Sequence, residues 1–178
     1  MAAFLLAAAR PSAGDTLVYS ERNGNPSWSS PDNWFMYDSQ NHLQPVFHPP
    51  VAGDTAIVGG TVDALANSIQ LAELILQPNA VINNGGFVVG TVQMNGGNSG
   101  RTTTFHGSVI KVLNEMDVMG GSCSIEFGSL TIADGAICHI GFGGQGQLSY
   151  SDSQIINSGQ ISLQYAGSCL TGGSNLVN

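Results

Sequence analysis

Charged side chains are scarce in this sequence, and positive ones are the scarcest. Lys, Arg, Asp and Glu together make up 9% of the residues, whereas a typical globular protein has roughly 25%. Helices usually carry such side chains on their solvent face, so a mostly helical fold is disfavoured. The net charge is −8, and the Lys and Arg residues are only four: Arg10, Arg22, Arg101 and Lys111. Because no patch could neutralise several phosphates, we expect no nucleic-acid partner.

Long apolar runs and paired cysteines are also missing. No stretch approaches the roughly 20 apolar residues that a membrane-spanning helix needs. The three cysteines, Cys123, Cys138 and Cys169, are an odd number at wide spacing, with no CxxC pair and no histidines at zinc-like intervals. We therefore predict no membrane span, no metal site and no cofactor. We interpret the cysteines as reduced, small apolar residues of the core.

The one apolar run near the start is short. Residues 1–13 contain Ala-Ala-Phe-Leu-Leu-Ala-Ala-Ala, with no Lys or Arg before the run. A signal peptide is one interpretation, although the apolar stretch is at the short edge for such a segment. We interpret residues 1–13 instead as an N-terminal arm, short helix or cap, in which Phe4, Leu5 and Leu6 would attach the protein to a neighbour.

Glycines and alternating apolar residues fill the rest of the chain. The 24 glycines separate short runs in which every second residue is apolar, such as Cys123-x-Ile125-x-Phe127, Leu130-x-Ile132 and Ile161-x-Leu163-x-Tyr165. Period-two alternation puts one face of each strand in a core, and frequent glycine turns fit a chain that reverses or coils continually. We predict an all-β fold of the β-solenoid or β-helix type. A β-sandwich or jelly roll is the alternative, because the turns are unevenly spaced.

A short pattern occurs twice before this region. Ala13-Gly14-Asp15-Thr16-Leu17-Val18 returns as Ala52-Gly53-Asp54-Thr55-Ala56-Ile57-Val58. Gly-Asp suits a turn before a strand, with the carboxylate accepting hydrogen bonds from backbone N–H groups two residues on. We therefore predict that Gly14, Asp15, Gly53 and Asp54 form turns and have no catalytic role.

Both tryptophans lie between the two copies, among several prolines. Trp28 and Trp34 could offer their ring faces to a sugar, but large aromatic residues at the start of a solenoid more often close the open end of its core. Tyr37 and Phe47 are expected to share that capping role. The chain then divides into three segments: an arm or cap (1–13), a Trp- and Pro-rich capping region (14–66) and a Gly-rich solenoid-like body (67–178).

A wider motif runs through the capping region and the first coils. It consists of Trp28, Asn33, Trp34, Pro50, Gly53, Asp54 and Ile57, followed by Leu74-x-Leu76 and Ala80-Val81. Over residues 14–95 the chain resembles the opening module of repetitive bacterial cell-surface, autotransporter-type β-helix proteins. The resemblance implies stacked β-coils and a cell-surface location. It implies no particular chemistry, because those proteins are named for architecture and location.

Few residues suggest nucleophilic catalysis. Neighbouring strand residues point to opposite faces, so Cys138 and His139 cannot act as a nucleophile and its base. We expect His139 to be an outward polar residue. His106-Gly107-Ser108 is the other arrangement of this kind. The glycine-rich residues 141–146 lack the Lys-Ser/Thr of a phosphate loop and are predicted to form a tight turn.

Carboxylate pairs are the remaining catalytic candidates. Glycoside hydrolysis needs two acids about 5–10 Å apart across a cleft. Glu115 with Asp117, and Glu126 with Asp134, are the available pairs. Glu115 and Asp117 could share a strand face, but we interpret them as solvated surface groups. We therefore predict no catalytic residues.

These observations favour a non-enzymatic structural protein. The first hypothesis is a virion component, such as a phage capsid decoration or head-surface protein, that forms a homo-oligomer, with a trimer as the expected state, and attaches to a capsid at the virion surface. The alternative is a bacterial cell-surface or secreted β-helix adhesin or carbohydrate-binding module that meets a glycan through Trp28 and Trp34. The third hypothesis is a polysaccharide-degrading enzyme.

Overall fold

The computed structural model describes residues 14–21, 24–65, 68–96, 102–173 and 175–178. The predicted arm at residues 1–13, with Phe4, Leu5 and Leu6, lies outside these ranges. In the described residues 59% of the chain is strand, and no helix there is long and apolar enough to cross a membrane. A 3-10 turn spans Pro31–Asn33.

The strands are β1 (Thr16–Tyr19), β2 (Trp34–Tyr37), β3 (Leu43–Pro45), β4 (Thr55–Val58), β5 (Thr61–Asp63), β6 (Ile69–Leu76), β7 (Val81–Asn83), β8 (Gly86–Asn95), β9 (Thr102–His106), β10 (Val109–Met119), β11 (Gly121–Glu126), β12 (Ser129–Ile132), β13 (Ile137–Ile140), β14 (Gly146–Ser151), β15 (Gln154–Asn157), β16 (Gln160–Leu163), β17 (Cys169–Gly172) and β18 (Asn175–Val177).

Parallel pairing between successive turns of the chain builds the fold. One row of paired residues runs through five strands: Gly86, Val109, Ser129, Gln154 and Asn175. Each step along this row is one coil, and the protein is a β-solenoid of about five turns. The predicted all-β solenoid is therefore confirmed. The sandwich and jelly-roll alternative is excluded, because those folds pair their strands in antiparallel fashion.

Two sheets line the solenoid. The smaller sheet stacks β5, β7, β9, β11, β14 and β17, and the larger runs from β3 at one end to β18 at the other. The parallel stacking already includes β1, β4 and β5. The coils therefore begin inside the segment predicted as a capping region (14–66), before the expected boundary at residue 67.

In its middle coils the larger sheet carries two runs of strand, whereas β1, β4 and β18 each pair over a single run. In β10 the register shifts between Val112 and Glu115. In the next coil a turn at residues 133–136 separates β12 from β13, and both of these strands pair with β10. The second run, formed by the end of β8, the end of β10, β13 and β16, is the one that positions the candidate site.

The core lies inside the coils and follows the alternation of the sequence. In β12, Leu130 and Ile132 are buried, whereas the residues between and before them are only partly covered. Buried residues also stack from coil to coil, as in the row Phe87, Ile110, Leu130 and Ile155. The buried side chains of this row therefore stack on the equivalent residues of neighbouring coils.

The cysteines are free thiols. Cys123 and Cys138 are buried in the core and Cys169 is partly buried. Burial raises the pKa of both Cys123 and Cys138 to about 12, because the thiolate is poorly solvated there. The prediction of reduced core cysteines is confirmed for these two, and neither thiol is activated for nucleophilic attack.

One corner of the solenoid uses left-handed backbone in four successive coils. The stacked residues are Asn84 (φ 55°), Gly107 (φ 61°), Phe127 (φ 54°) and Asp152 (φ 48°). Gly and Asn adopt this conformation readily, but a bulky residue such as Phe rarely does. The Phe127 ring remains 60% exposed and meets the His106 ring edge-on at 5.2 Å.

The next position at this corner alternates between glycine and serine. We call these four residues the Gly/Ser corner: Gly85, Ser108, Gly128 and Ser153. The Gly85 N–H donates to Ser108 Oγ at 3.2 Å, and the Gly128 N–H donates to Ser153 Oγ at 3.1 Å. A Cβ atom on Gly128 would lie 2.1 Å from the Ser108 carbonyl oxygen. The glycines therefore let adjacent coils approach, and the serines satisfy the backbone groups buried there.

The two Gly-Asp copies stack on each other in adjacent coils. The Asp54 N–H donates to the Val51 carbonyl at 3.1 Å across a turn in which Gly53 has φ 96°. The Asp54 carboxylate accepts from the N–H groups of Val51 (2.8 Å) and Asp15 (3.0 Å), and not from the expected group two residues on. A Cβ on Gly14 would lie 1.8 Å from the Gly53 oxygen, so the repeated glycine permits the stacking.

Trp28 and Trp34 belong to the core beside the first coil, where the antiparallel strands β2 and β3 end the larger sheet. Trp28 is 3% exposed and Trp34 is fully buried. Their rings pack edge-on at 4.7 Å, and Trp34 Nε1–H donates to the Trp28 carbonyl at 2.7 Å. Neither ring has a free face for a sugar.

The capping role expected of Tyr37 and Phe47 is wrong, because these side chains are 50% and 86% exposed.

Tyr19 packs against this aromatic pair with a buried hydroxyl. Its ring meets Trp34 edge-on at 5.3 Å, and its oxygen has no hydrogen-bond partner. Burial, with smaller contributions from the negative charges of Glu21 and Asp63, raises the pKa of Tyr19 from 10.0 to about 12. Between these two values the unfolded chain loses the phenolic proton while the folded protein retains it. Raising the pH through this window therefore lowers the free energy of unfolding.

We expect Tyr19→Phe to keep or slightly raise stability at pH 7, because the variant buries no unpartnered hydroxyl. It should also reduce the loss of stability between about pH 10 and pH 12. Thermal unfolding followed by circular dichroism across that range measures both effects. Tyr165→Phe, which alters an exposed ring, is the matched control. Parallel alkaline profiles for Tyr19→Phe and the unsubstituted protein would contradict the assignment.

Candidate functional site

Three titratable side chains meet on the outer face of the larger sheet. Glu115 and Asp117 lie on β10, where the alternating Met116 and Val118 point into the core. His139 lies on β13, with Cys138 on its inner side. The predicted opposite orientation of Cys138 and His139 is therefore confirmed. We call Glu115, Asp117 and His139 the outer-face cluster.

Coil-to-coil register brings the cluster together. Asp117 is paired with His139 in the next coil and with Gln93 in the previous one. Glu115 reaches diagonally, with its Oε1 atom 3.5 Å from His139 Nε2. One potential ligand atom from each member of the cluster lies within 4.8 Å of the others. The two carboxylates and the imidazole therefore converge on one small region of the outer face.

Asp117 is the unusual member, because it is buried although it faces outward. Only 7% of its surface is exposed, and its Oδ1 atom has no hydrogen-bond partner. Burial raises the pKa of the Asp117 carboxyl, the Glu115 charge raises it further, and His139 opposes the shift. The interpretation of Asp117 as a solvated surface group is therefore wrong. The shared face predicted for Glu115 and Asp117 is confirmed.

His139 is held from two sides. Its Nδ1 atom contacts the side-chain amide of Gln164, which follows β16 in the next coil. Its ring lies 6.1 Å from the Phe142 ring, measured between centroids. Phe142 belongs to residues 141–146, which form the predicted tight turn, with Gly141 at φ 88° and Gly143 at φ 71°. These contacts direct Nε2 of the imidazole towards the carboxylates.

Acidic and amide side chains continue along the same face. Glu73 on β6 accepts a hydrogen bond from Gln93 Nε2 at 3.0 Å and one from Thr55 Oγ1 at 3.4 Å. Among the described residues Lys111 is the only Lys or Arg, and it lies on the first half of β10, before the register shift. The face around the cluster is therefore negatively charged and suits a cation better than an anion.

The other catalytic candidates lie elsewhere. Glu126, on the smaller sheet, accepts from Ser124 Oγ at 3.1 Å and lies 3.4 Å from His106 Nδ1. Asp134, its predicted partner, is exposed in the turn at residues 133–136 of the larger sheet. Ser108 is fully buried at the Gly/Ser corner.

The sequence did not predict the outer-face cluster, because its members come from different coils. The spacing of Glu115 and Asp117 indicates a common face, and the position of His139 beside a core cysteine indicates an outward side chain. Their meeting depends on the register between β10 and β13. Coil lengths are uneven in this chain, so that register could not be read from a repeat period.

Comparison with protein-family models, with curated proteins and with solved structures finds no match for this chain.

Proposed function

We propose that the protein is a non-enzymatic structural subunit that joins a larger assembly through the open end of its last coil. The observation that supports this proposal is the difference between the two ends of the core. At the first end, aromatic side chains and an antiparallel hairpin cover the interior. At the last end, apolar side chains from the interior rows are exposed.

The exposed residues continue rows that are buried in earlier coils. Leu176 pairs with Ile155, yet Leu176 is 43% exposed and Ile155 is fully buried. Leu163 pairs with the buried Ile140 and is 56% exposed. Each position faces the interior side of its strand, and no described residue covers it there. Burying such side chains against a neighbour would contribute about 25 cal/mol per Å² of apolar surface removed from water, from which the entropy cost of association is subtracted.

Strand edges at this end favour the same role. Among the described strands, β16, β17 and β18 have a partner on one side only. Unpaired edges bind other strands readily, and natural proteins usually cover or protect them. The occupant that fits best is a second copy of this chain, since its last coil offers a matching apolar surface and matching edges.

The proposed setting is the surface of a virion, with a bacterial cell surface as the second candidate. The virion setting rests on the weakly charged composition and on the apolar residues 1–13 as an attachment element. The resemblance of residues 14–95 to bacterial surface β-helix modules favours the second. Gold-labelled antibody imaging of the producing cells and of any particles they release separates the two. Regular label on particles supports the first, and label confined to the cell envelope supports the second.

The role of the open end is tested by the double substitution Leu163→Lys with Leu176→Lys. We expect the unsubstituted protein to self-associate at micromolar concentration and the variant to be monomeric, because two buried charges would oppose docking. Light scattering after size-exclusion chromatography gives the mass. Phe47→Lys, which adds a charge at an exposed position outside the last coil, is the matched control. A monomeric parent protein, or equal dissociation by the control, would reject the proposal.

A further inference from the structure

We propose that the outer-face cluster of Glu115, Asp117 and His139 is a binding site for a divalent transition-metal ion of the Zn²⁺ type. This inference does not depend on the assembly role of the open end. It also revises the sequence-based prediction of no metal site, which considered only cysteine and histidine spacing along the chain.

The spacing of the three side chains fits such an ion. Zn²⁺ binds imidazole nitrogen and carboxylate oxygen at about 2.0–2.2 Å in tetrahedral geometry, so two ligand atoms lie roughly 3.4 Å apart. Glu115 Oε1 and His139 Nε2 are 3.5 Å apart. With Asp117 the three ligand atoms lie within 4.8 Å of one another. A small side-chain rotation would place all three on one ion and leave the fourth position for water.

The unpartnered oxygen of Asp117 points independently to a cation. A buried carboxylate normally has hydrogen bonds or a counter-charge, because an unpaired buried charge is costly. Asp117 is 7% exposed, and its Oδ1 atom has no partner. Its outward neighbours include the like-charged Glu115 carboxylate. A bound cation would supply the missing partner and remove the repulsion between the two acids.

The donor set favours a transition metal over Mg²⁺ or Ca²⁺. Those two ions prefer oxygen ligands alone, whereas imidazole suits Zn²⁺ and related ions. The Gln164 amide at His139 Nδ1 is the outer partner that a metal-binding histidine usually has. The amide atom that faces His139 Nδ1 is Gln164 Nε2. A flip of this amide, which exchanges its oxygen and nitrogen, would let the oxygen accept from Nδ1–H and leave His139 Nε2 free for the metal.

The three proposed ligands come from two successive coils, so metal binding at this site would stabilise the fold. Glu115 and Asp117 lie on β10 and His139 lies on β13. Only the folded stack brings them together, so an ion bound here stabilises the native state over the unfolded chain. The ion would link two coils of the larger sheet near the middle of the solenoid.

The test is thermal unfolding and isothermal titration calorimetry of the full chain with ZnCl₂, and with MgCl₂ and CaCl₂ for comparison. We expect one Zn²⁺ per chain and a rise in Tm of roughly 5–10 °C at a hundredfold excess of free Zn²⁺ over Kd. Mg²⁺ and Ca²⁺ should give little or no shift. Asp117→Asn and His139→Gln should each weaken Zn²⁺ binding by more than about 100-fold, since losing an outer partner alone costs about 10–100-fold.

Two control variants separate this site from other zinc ligands. His106→Gln removes the histidine of the other His–Glu pair, whose His106 Nδ1 and Glu126 Oε2 atoms are 3.4 Å apart. Among the described residues this pair has no third potential metal ligand beside it. Cys169→Ser removes the most accessible thiol. Both variants should bind Zn²⁺ as the unsubstituted protein does. Co²⁺ bound in place of Zn²⁺ should give an absorption spectrum without a thiolate charge-transfer band.

Metal-free stability provides a second readout that does not depend on binding. Asp117→Asn removes the uncompensated buried charge and keeps the side-chain shape, so without metal it should be at least as stable as the unsubstituted protein. It should also lose the Zn²⁺-dependent rise in Tm. The proposal would be overturned by no Zn²⁺-dependent stabilisation, by unchanged binding in Asp117→Asn and His139→Gln, or by an equal loss in His106→Gln.

Discussion

Replacing Trp34 by alanine is expected to lower the free energy of unfolding by about 3–5 kcal/mol, the range for removing a large buried aromatic side chain. Trp34 is fully buried and touches both Trp28 and Tyr19. The substitution also leaves the Trp28 carbonyl without the 2.7 Å hydrogen bond from Trp34 Nε1. At this chain length the change corresponds to a fall in Tm of roughly 6–20 °C.

The local structure explains why the effect should be large. Asn33, also fully buried, donates from Nδ2 to the carbonyls of Asn25 (2.7 Å) and Ser27 (3.0 Å). These bonds fix the chain before Trp34. Trp34 also caps the 3-10 turn Pro31–Asn33, because its backbone N–H donates to the Pro31 carbonyl. The neighbouring backbone therefore has little freedom to collapse into the cavity.

Thermal unfolding by circular dichroism measures the loss, and fluorescence gives a second signal. Trp28 is the only other tryptophan, so red-shifted emission in Trp34→Ala would report its exposure. Phe47→Ala is the matched control, because it truncates an aromatic side chain that is 86% exposed and should change stability by no more than about 0.5 kcal/mol. Equal small effects for the two variants would show that Trp34 does not close the core.

Local patterns predicted the fold because strand alternation is a property of neighbouring residues. Leu130 and Ile132 are buried as their spacing indicates, and the glycine-bearing turns fall between strands. The repeated Gly-Asp segment was predicted as two separate turns. Its two copies lie side by side, with Thr16 paired to Thr55. The repeat therefore corresponds to a contact between adjacent coils, which turn-forming residues alone do not predict.

Features that depend on several coils could not be predicted in this way. Phe127 adopts φ 54° because it occupies a corner where Asn84, Gly107 and Asp152 have the same conformation. Nothing in the local sequence marks a phenylalanine for that position. Asp117 is likewise ordinary in sequence and becomes buried only between the side chains of neighbouring coils. The backbone conformation of Phe127 and the burial of Asp117 both depend on the register between coils. This register cannot be read from the sequence, because the coil lengths are uneven.

The Gly/Ser corner gives the second large prediction, which concerns the spacing between coils. Gly128→Ala adds a single methyl group, but that carbon would lie 2.1 Å from the Ser108 carbonyl oxygen and 2.9 Å from its amide nitrogen. Both atoms belong to backbone, so no side-chain rotation relieves the clash. The coils would have to separate where the Ser129 N–H donates to the Ser108 carbonyl at 2.9 Å. We expect a loss of about 3 kcal/mol or more, at or above the upper end for overpacking.

Gly60→Ala is the matched control for this substitution. Gly60 also lies between two strands of one coil, but a Cβ atom there would meet nothing within 4 Å. Its change in stability should stay near zero or be slightly favourable, because alanine reduces the entropy of the unfolded chain. Denaturant unfolding of both variants gives the comparison. A Gly128→Ala variant as stable as Gly60→Ala would mean that the coils can separate at this corner without cost, which contradicts a close backbone contact between them.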